Sequence, residues 1–180
     1  MRSRIRRLPL LPVLLLAATP LAAQDAARTV IVVRHAEKGA VGDNPSLTPE
    51  GTRRAEELSR ALEDVRVTAL FATEFLRTQE TLRPLARRTG VAPQLLPARD
   101  VDSLVGRILA LPAGGAAVVA SHSNLVHLIV QKLTGVSVRE LADRDYDRLY
   151  VLTVTGPGKG TALVLRYGEP ASATAAPMRP

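Results

Sequence analysis

Thr29-Val30-Ile31-Val32-Val33-Arg34-His35 is the stretch on which the fold turns. Its first five residues form a short β-branched, largely apolar run, the composition of a strand buried on both faces. Two polar side chains, Arg34 and His35, follow it without a break. Ala116 to Ala120 is a second buried run, followed at once by Ser121-His122-Ser123-Asn124, and Val67 to Phe71 is a third.

Helical patterns lie between these runs. Thr48-Pro49 opens the first, with Thr48 as N-cap and Pro49 at the first helical position. Ala55, Leu58 and Leu62 then recur at helical spacing. A second helix is predicted from about Glu74 to Arg88, stopping at Gly90, with Pro84 implying a kink or a restart. Gln94 to Leu96 reads as a short strand, Ser103 to Leu111 as a helix, and Leu125 to Leu133 as an apolar helix closed by Gly135. Arg148 to Thr155 and Thr161 to Tyr167 read as strands joined by the turn Gly156-Pro157-Gly158-Lys159-Gly160. Strands alternating with helices predict an α/β three-layer sandwich, a mostly parallel central sheet flanked by helices. In that architecture ligands bind beyond the carboxyl ends of the strands. Arg34-His35, the His122 segment and Arg77, early in the second helix, should therefore converge on one rim.

The chain ends read differently. Arg2, Arg4, Arg6 and Arg7 precede an apolar run from Leu8 to Ala18, and small residues lead to Leu21-Ala22-Ala23. This is the layout of a secretory signal peptide over residues 1–23. The run is too short to span a bilayer comfortably and is interrupted by Pro9, Pro12 and Pro20. The expectation is a domain over residues 24–167, with no stable membrane span after cleavage, in the periplasm of a bacterium or secreted. A tail over residues 168–180, rich in Ala, Pro, Ser and Thr, is expected to be disordered. Four of the seven net positive charges belong to the signal arginines, leaving about three on the mature chain. The high isoelectric point therefore does not argue for nucleic-acid binding. The sequence has no cysteine, which excludes thiol catalysis, cysteine metal sites and an acyl-cysteine anchor.

The rim residues suit one chemistry. A phosphate monoester brings about two negative charges and calls for multidentate cations, which arginine supplies as a planar fork. A neutral imidazole nitrogen can attack phosphorus and form a covalent phosphoenzyme. A second histidine, if protonated, can donate to the equatorial oxygens of the transition state. His35 and His122 lack a carboxylate partner at metal-ligand spacing, so no metal and no cofactor is expected. His127 reads as a packed structural histidine. Asp143, Asp145 and Asp147, interleaved with Arg144, Tyr146 and Arg148, read as a solvated turn, and Arg83, Arg87 and Arg88 as an exposed basic face.

These residues resemble a known family in four blocks. Val33-Arg34-His35-Ala36-Glu37-Lys38 is similar to the Arg-His-Gly signature of the histidine phosphatase, or phosphoglycerate mutase-like, superfamily. Leu47-Thr48-Pro49-Glu50-Gly51 resembles the start of its first long helix. Phe71-Ala72-Thr73-Glu74-Phe75-Leu76-Arg77, followed by Thr81, resembles the block in which a small hydroxyl residue leads to a phosphate-binding arginine. Ser121-His122-Ser123-Asn124 resembles its Gly-His-Ser-Asn block. The likeness runs from about Thr29 to Tyr167, with Ala36 and Ser121 standing where the family has glycine. The compact bacterial branch similar to phosphohistidine phosphatase is the nearest in layout.

The resemblance implies that His35 is the phosphorylated nucleophile, with Arg34, Arg77 and His122 completing the phosphate pocket. It extends substrate binding to Lys38, Ser123 and Asn124. For the general acid it offers Asp100 first and Glu37 second. The function implied is an exported, metal-independent phosphomonoesterase acting on a small phosphorylated substrate: a sugar phosphate, a nucleotide or an envelope glycan phosphate. The alternatives are a non-catalytic phosphate- or phosphoglycan-binding envelope protein and a phosphoglycerate mutase-type phosphotransferase.

Overall fold

A computed structural model describes residues 27–170. The elements follow in the order β1 (Arg28–Arg34), α1 (Pro49–Ala61), β2 (Val67–Thr73), α2 (Leu76–Thr89), β3 (Pro93–Leu96), α3 (Val101–Leu109), β4 (Ala116–Ser121), α4 (Ser123–Thr134), β5 (Arg148–Gly156) and β6 (Lys159–Arg166). They build one six-stranded sheet in the order β3-β2-β4-β1-β5-β6. β1 pairs in parallel with β4, and β2 with both β4 and β3. β5 is antiparallel to β1 and to β6, so it alone among the described strands runs against the rest.

The period-two alternation of the strands divides their side chains between two cores. Val30, Val32, Phe71, Ala117 and Val119 face one side, where α3 and α4 supply Leu104, Ile108, Ile129 and Leu133. Ile31, Val33, Leu70, Val118 and Ala120 face the other, where α1 supplies Leu58, its C-cap Leu62 follows, and α2 supplies Leu82 and Leu85. This is the three-layer sandwich expected from the sequence. The central strands read as continuous apolar runs because helices cover both their faces.

Local signals set most boundaries. The Thr48 hydroxyl accepts from Gly51 N–H at 3.1 Å and Pro49 opens α1, while Gly90 and Gly135 close α2 and α4 in the left-handed region. Pro84 lies buried inside an uninterrupted α2, so no restart occurs there. The loop expected between the last two strands shortens to Pro157-Gly158, because Gly156 already pairs with Lys159. Gly168–Pro170, at the head of the tail expected to be disordered, stays beside α1, where Arg54 Nη1 donates to the Tyr167 and Glu169 carbonyls at 3.2 and 3.0 Å. The expected signal peptide and the rest of the tail lie outside the described residues. Among the described residues no helix is long and apolar enough to cross a membrane.

Gly51 is where α1 passes closest to the segment after β1: a Cβ there would lie 2.1 Å from the Glu37 carbonyl oxygen. Gly106, within α3, has open space around it. Gly51→Ala is expected to destabilise the protein by about 2 kcal/mol through overpacking. Gly106→Ala should stabilise it by roughly 0.5–1 kcal/mol, by removing backbone freedom from the unfolded chain and restoring helix propensity. Urea denaturation of the two variants checks the contrast; equal midpoints would contradict it.

Candidate active site

The carboxyl ends of β1, β2 and β4 bring the polar residues together. Arg34 is in register with Ser121, and the ladder continues one step further, His35 N–H donating to the Ser121 carbonyl at 2.8 Å. The His35 and His122 rings consequently meet edge to face, their centroids 5.4 Å apart. Both are buried.

His35 has a defined tautomer. Its Nδ1 lies 2.8 Å from the Ala36 carbonyl oxygen. A carbonyl only accepts, so Nδ1 carries the proton and Nε2 keeps its lone pair. Burial pushes the His35 pKa down to about 3; the Ala36 carbonyl opposes this, while Arg34, His122 and Arg77 reinforce it. Burial likewise lowers His122 to about 4, helped by Arg77 and opposed by Glu74. Both rings are therefore neutral at neutral pH. His122 Nε2 sits 3.1 Å from the Thr73 hydroxyl, which in turn meets the Thr78 hydroxyl at 2.9 Å.

The two arginines are held from behind. Arg34 Nη1 donates to the Ala142 and Asp143 carbonyls at 2.9 and 2.8 Å, and its guanidinium lies 4.0 Å from the centre of the Tyr146 ring. Arg77 stacks at 4.2 Å on Phe75, whose ring meets His122 edge-on. The Nε atoms of both are buried without a protein partner. Buried charged donors left free are costly unless an acceptor arrives, and an oxyanion is the acceptor that a guanidinium fork fits. Thr81 locks this arrangement: its hydroxyl accepts from Ala36 N–H at 2.9 Å and donates to the Arg77 carbonyl at 2.7 Å.

These side chains open into a cavity of about 520 Å³. Of the residues expected from the sequence, Arg34, His35, Arg77, His122, Lys38, Ser123 and Asn124 all line it. Asp100 and Glu37 do not, and the structure gives each a different task. Asp100 caps α3, its Oδ1 accepting from Ser103 N–H at 3.0 Å; the hydrogen bonds from Ser103 hold its pKa below the usual range, opposite to what a proton donor needs. Glu37 turns to α1, where Arg54 grips it through Nε and Nη2 at 2.7–3.0 Å. Neither carboxylate is placed to protonate a leaving group in this cavity.

Sequence reasoning missed Phe75, Arg99, Asp143 and Tyr146. Asp143 and Tyr146 were read as part of a solvated turn, yet Asp143 lines the cavity and Tyr146 packs on Arg34. The signal that would have found them is strand direction. Because β5 is antiparallel to β1, the loop before β5 ends at the rim where the parallel strands end. Among the described residues no group of three or more His, Cys, Asp or Glu is placed to hold a metal ion.

The fold is that of phosphoglycerate mutase-like phosphatases. It matches the structure of the protein histidine phosphatase SixA complexed with tungstate at TM-score 0.66 and 20% identity, covering 77% of this chain and 96% of that one. The alpha-ribazole phosphatase from Shigella flexneri matches at 0.61 and 14%, covering 77% and 96%. The mycobacterial glucosyl-3-phosphoglycerate phosphatase matches at 0.58 and 12%, covering 79% and 100%. At these identities the likeness is one of fold. In sequence, the family model of the histidine phosphatase superfamily (branch 1) matches residues 30–100. Residues 30–100 thus match that family model, and the described residues share the fold of these phosphatases. No curated protein matches it.

The lowered histidine pKa values have a consequence for stability. Unfolding frees His35 and His122 to titrate near 6.5, so below that pH the unfolded chain binds more protons than the folded one. The stability from these neutral rings is fully present above about pH 6.5 and is lost as pH falls towards 4 and 3. His35→Asn should flatten this acid limb by up to about 1.4 kcal/mol per pH unit. Urea unfolding of both proteins between pH 6.5 and 4 measures it, and identical slopes would show that burial does not hold His35 neutral.

Proposed function

We propose that the protein is an exported, metal-independent phosphomonoesterase that works through a phosphohistidine on His35. The observation that carries the reading is the His35 tautomer, Nδ1–H spent on Ala36 and Nε2 unprotonated, beside two guanidiniums with unpartnered buried Nε groups. In the first step the Nε2 lone pair attacks phosphorus, a P–N bond forms, and the ester P–O bond breaks to release the alcohol, which takes a proton. In the second, water attacks the phosphohistidine, the P–N bond breaks and inorganic phosphate leaves. Arg34 and Arg77 neutralise the oxygens throughout, the service a metal ion gives in other phosphatases. A dianion beside His122 favours its protonated form, which then donates to the phosphoryl oxygens.

The substrate class is small phosphorylated compounds, in keeping with the alpha-ribazole and glucosyl-3-phosphoglycerate phosphatases that share the fold. Hydrolysis is favoured over phosphoryl return to a retained product because the described chain between β3 and β4 holds only the nine-residue α3, with no larger insertion to close the cavity. Export rests on the basic and apolar residues 2–23.

Hydrolysis of para-nitrophenyl phosphate with a chelator present tests the chemistry. Turnover is expected to survive the chelator and to fall at least about a thousandfold in His35→Ala. Arg77→Gln should lower kcat/KM by about a hundredfold. Activity that disappears with the chelator, or persists in His35→Ala, would refute the mechanism. Binding of phosphate with no turnover would favour a phosphate-binding protein instead.

A further inference from the structure

Four cations line the cavity, Arg34, Lys38, Arg77 and Arg99, against one carboxylate, Asp143. With both histidines neutral, the lining carries more positive charge than the roughly two negative charges of one phosphate monoester. Glu74 stands outside the lining, with its Oε2 taken by the Ala98 amide at 2.7 Å. The cations are also spread out. Arg34 ends β1 and Lys38 follows it, Arg77 follows β2, and Arg99 follows β3 at the edge of the sheet. At about 4.8 Å per strand, β3 lies roughly 14 Å from β1, more than one phosphoryl group spans.

Arg99 is exposed but its backbone is fixed. Ala98 N–H is tied to Glu74, Asp100 N–H donates to the Pro97 carbonyl at 2.9 Å, and the Asp100 carboxylate caps α3. The Arg99 side chain forms no ion pair among the described residues. The same cavity wall also carries the apolar side chains of Phe75, Ala98 and Leu125. We propose that Arg99 is a second anion subsite, and that the preferred substrates are phosphate esters whose alcohol carries another acidic group, a carboxylate or a further phosphate. The phosphoryl group then sits on Arg34, Arg77 and the histidines while the leaving group extends over the β3 end. The proposal builds on the phosphatase reading for its direction but is tested separately from turnover.

The probes are phenylphosphonate and 3-carboxyphenylphosphonate, bound to the full-length protein in a calorimeter, beside the hydrolysis of phenyl phosphate and 3-carboxyphenyl phosphate. The carboxylated member of each pair is expected to be favoured about fivefold, the scale of one exposed ion pair, and less so as salt is added. In Arg99→Gln the ratio should collapse towards one, and Arg99→Lys should keep most of it. Equal affinities, or a preference that survives in Arg99→Gln, would overturn the proposal. Tighter binding of the carboxylated phosphonate without hydrolysis of either ester would uphold the subsite while sinking the phosphatase reading.

Discussion

β1 is hydrogen-bonded along both edges, to parallel β4 on one side and antiparallel β5 on the other, and the site follows from that pairing. A parallel neighbour delivers its carboxyl end to the tip of β1, and an antiparallel neighbour delivers its amino end. The tip therefore receives His122 from β4 and the Ala142–Tyr146 loop from β5. That loop supplies the carbonyls that hold Arg34 and the ring on which it lies. Three segments far apart in sequence converge because one strand fixes the direction of two others.

Burial at the tip acts differently on its two residue types. Taking a side chain out of water disfavours its charged form. An imidazole starts near 6.5, so burial leaves His35 and His122 neutral at neutral pH. A guanidinium starts above 12; burial lowers Arg34 and Arg77 as well, yet they begin so far from neutrality that they stay charged. One environment thus yields a neutral imidazole with a free Nε2 lone pair beside permanent cations, the state the proposed mechanism asks of His35. The unpartnered Nε groups of Arg34 and Arg77 are the cost of that environment until an oxyanion occupies it.

Much of this was legible in the sequence because it depends on short-range rules. Strands covered on both faces must be continuous apolar runs, which marked β1 and β4, and residues following such strands fall on the ligand-binding rim, which marked His35, His122 and Arg77. What was not legible depends on long-range geometry. Glu37 stands two residues after His35, yet its side chain leaves the cavity because Arg54 on α1 grips it. Asp100 lies at the right place along the chain, but a helix starting at Val101 needs a cap, and Asp100 supplies it. Tyr146 and Asp143 depend on β5 running antiparallel, which no pattern within residues 142–156 discloses.

The two carboxylates lost as proton donors clarify what the site is built to do. Glu37 joins the segment after His35 to α1 through Arg54, and its carbonyl accepts from Thr48 N–H at 2.9 Å, while Gly51 lets the helix approach that closely. Thr81 joins Ala36 to α2. Both helices belong to the same layer, so the backbone around His35 is held from one face by two independent contacts and from the sheet by Ser121. Such restraint sets His35 and the arginines in place before any ligand arrives, which in the proposed mechanism lowers the barrier at phosphorus. The proposed mechanism then leaves the departing oxygen to its own basicity, since the exposed Asp143 is the one carboxylate lining the cavity among the described residues. Under that mechanism esters of weakly basic alcohols would be turned over fastest.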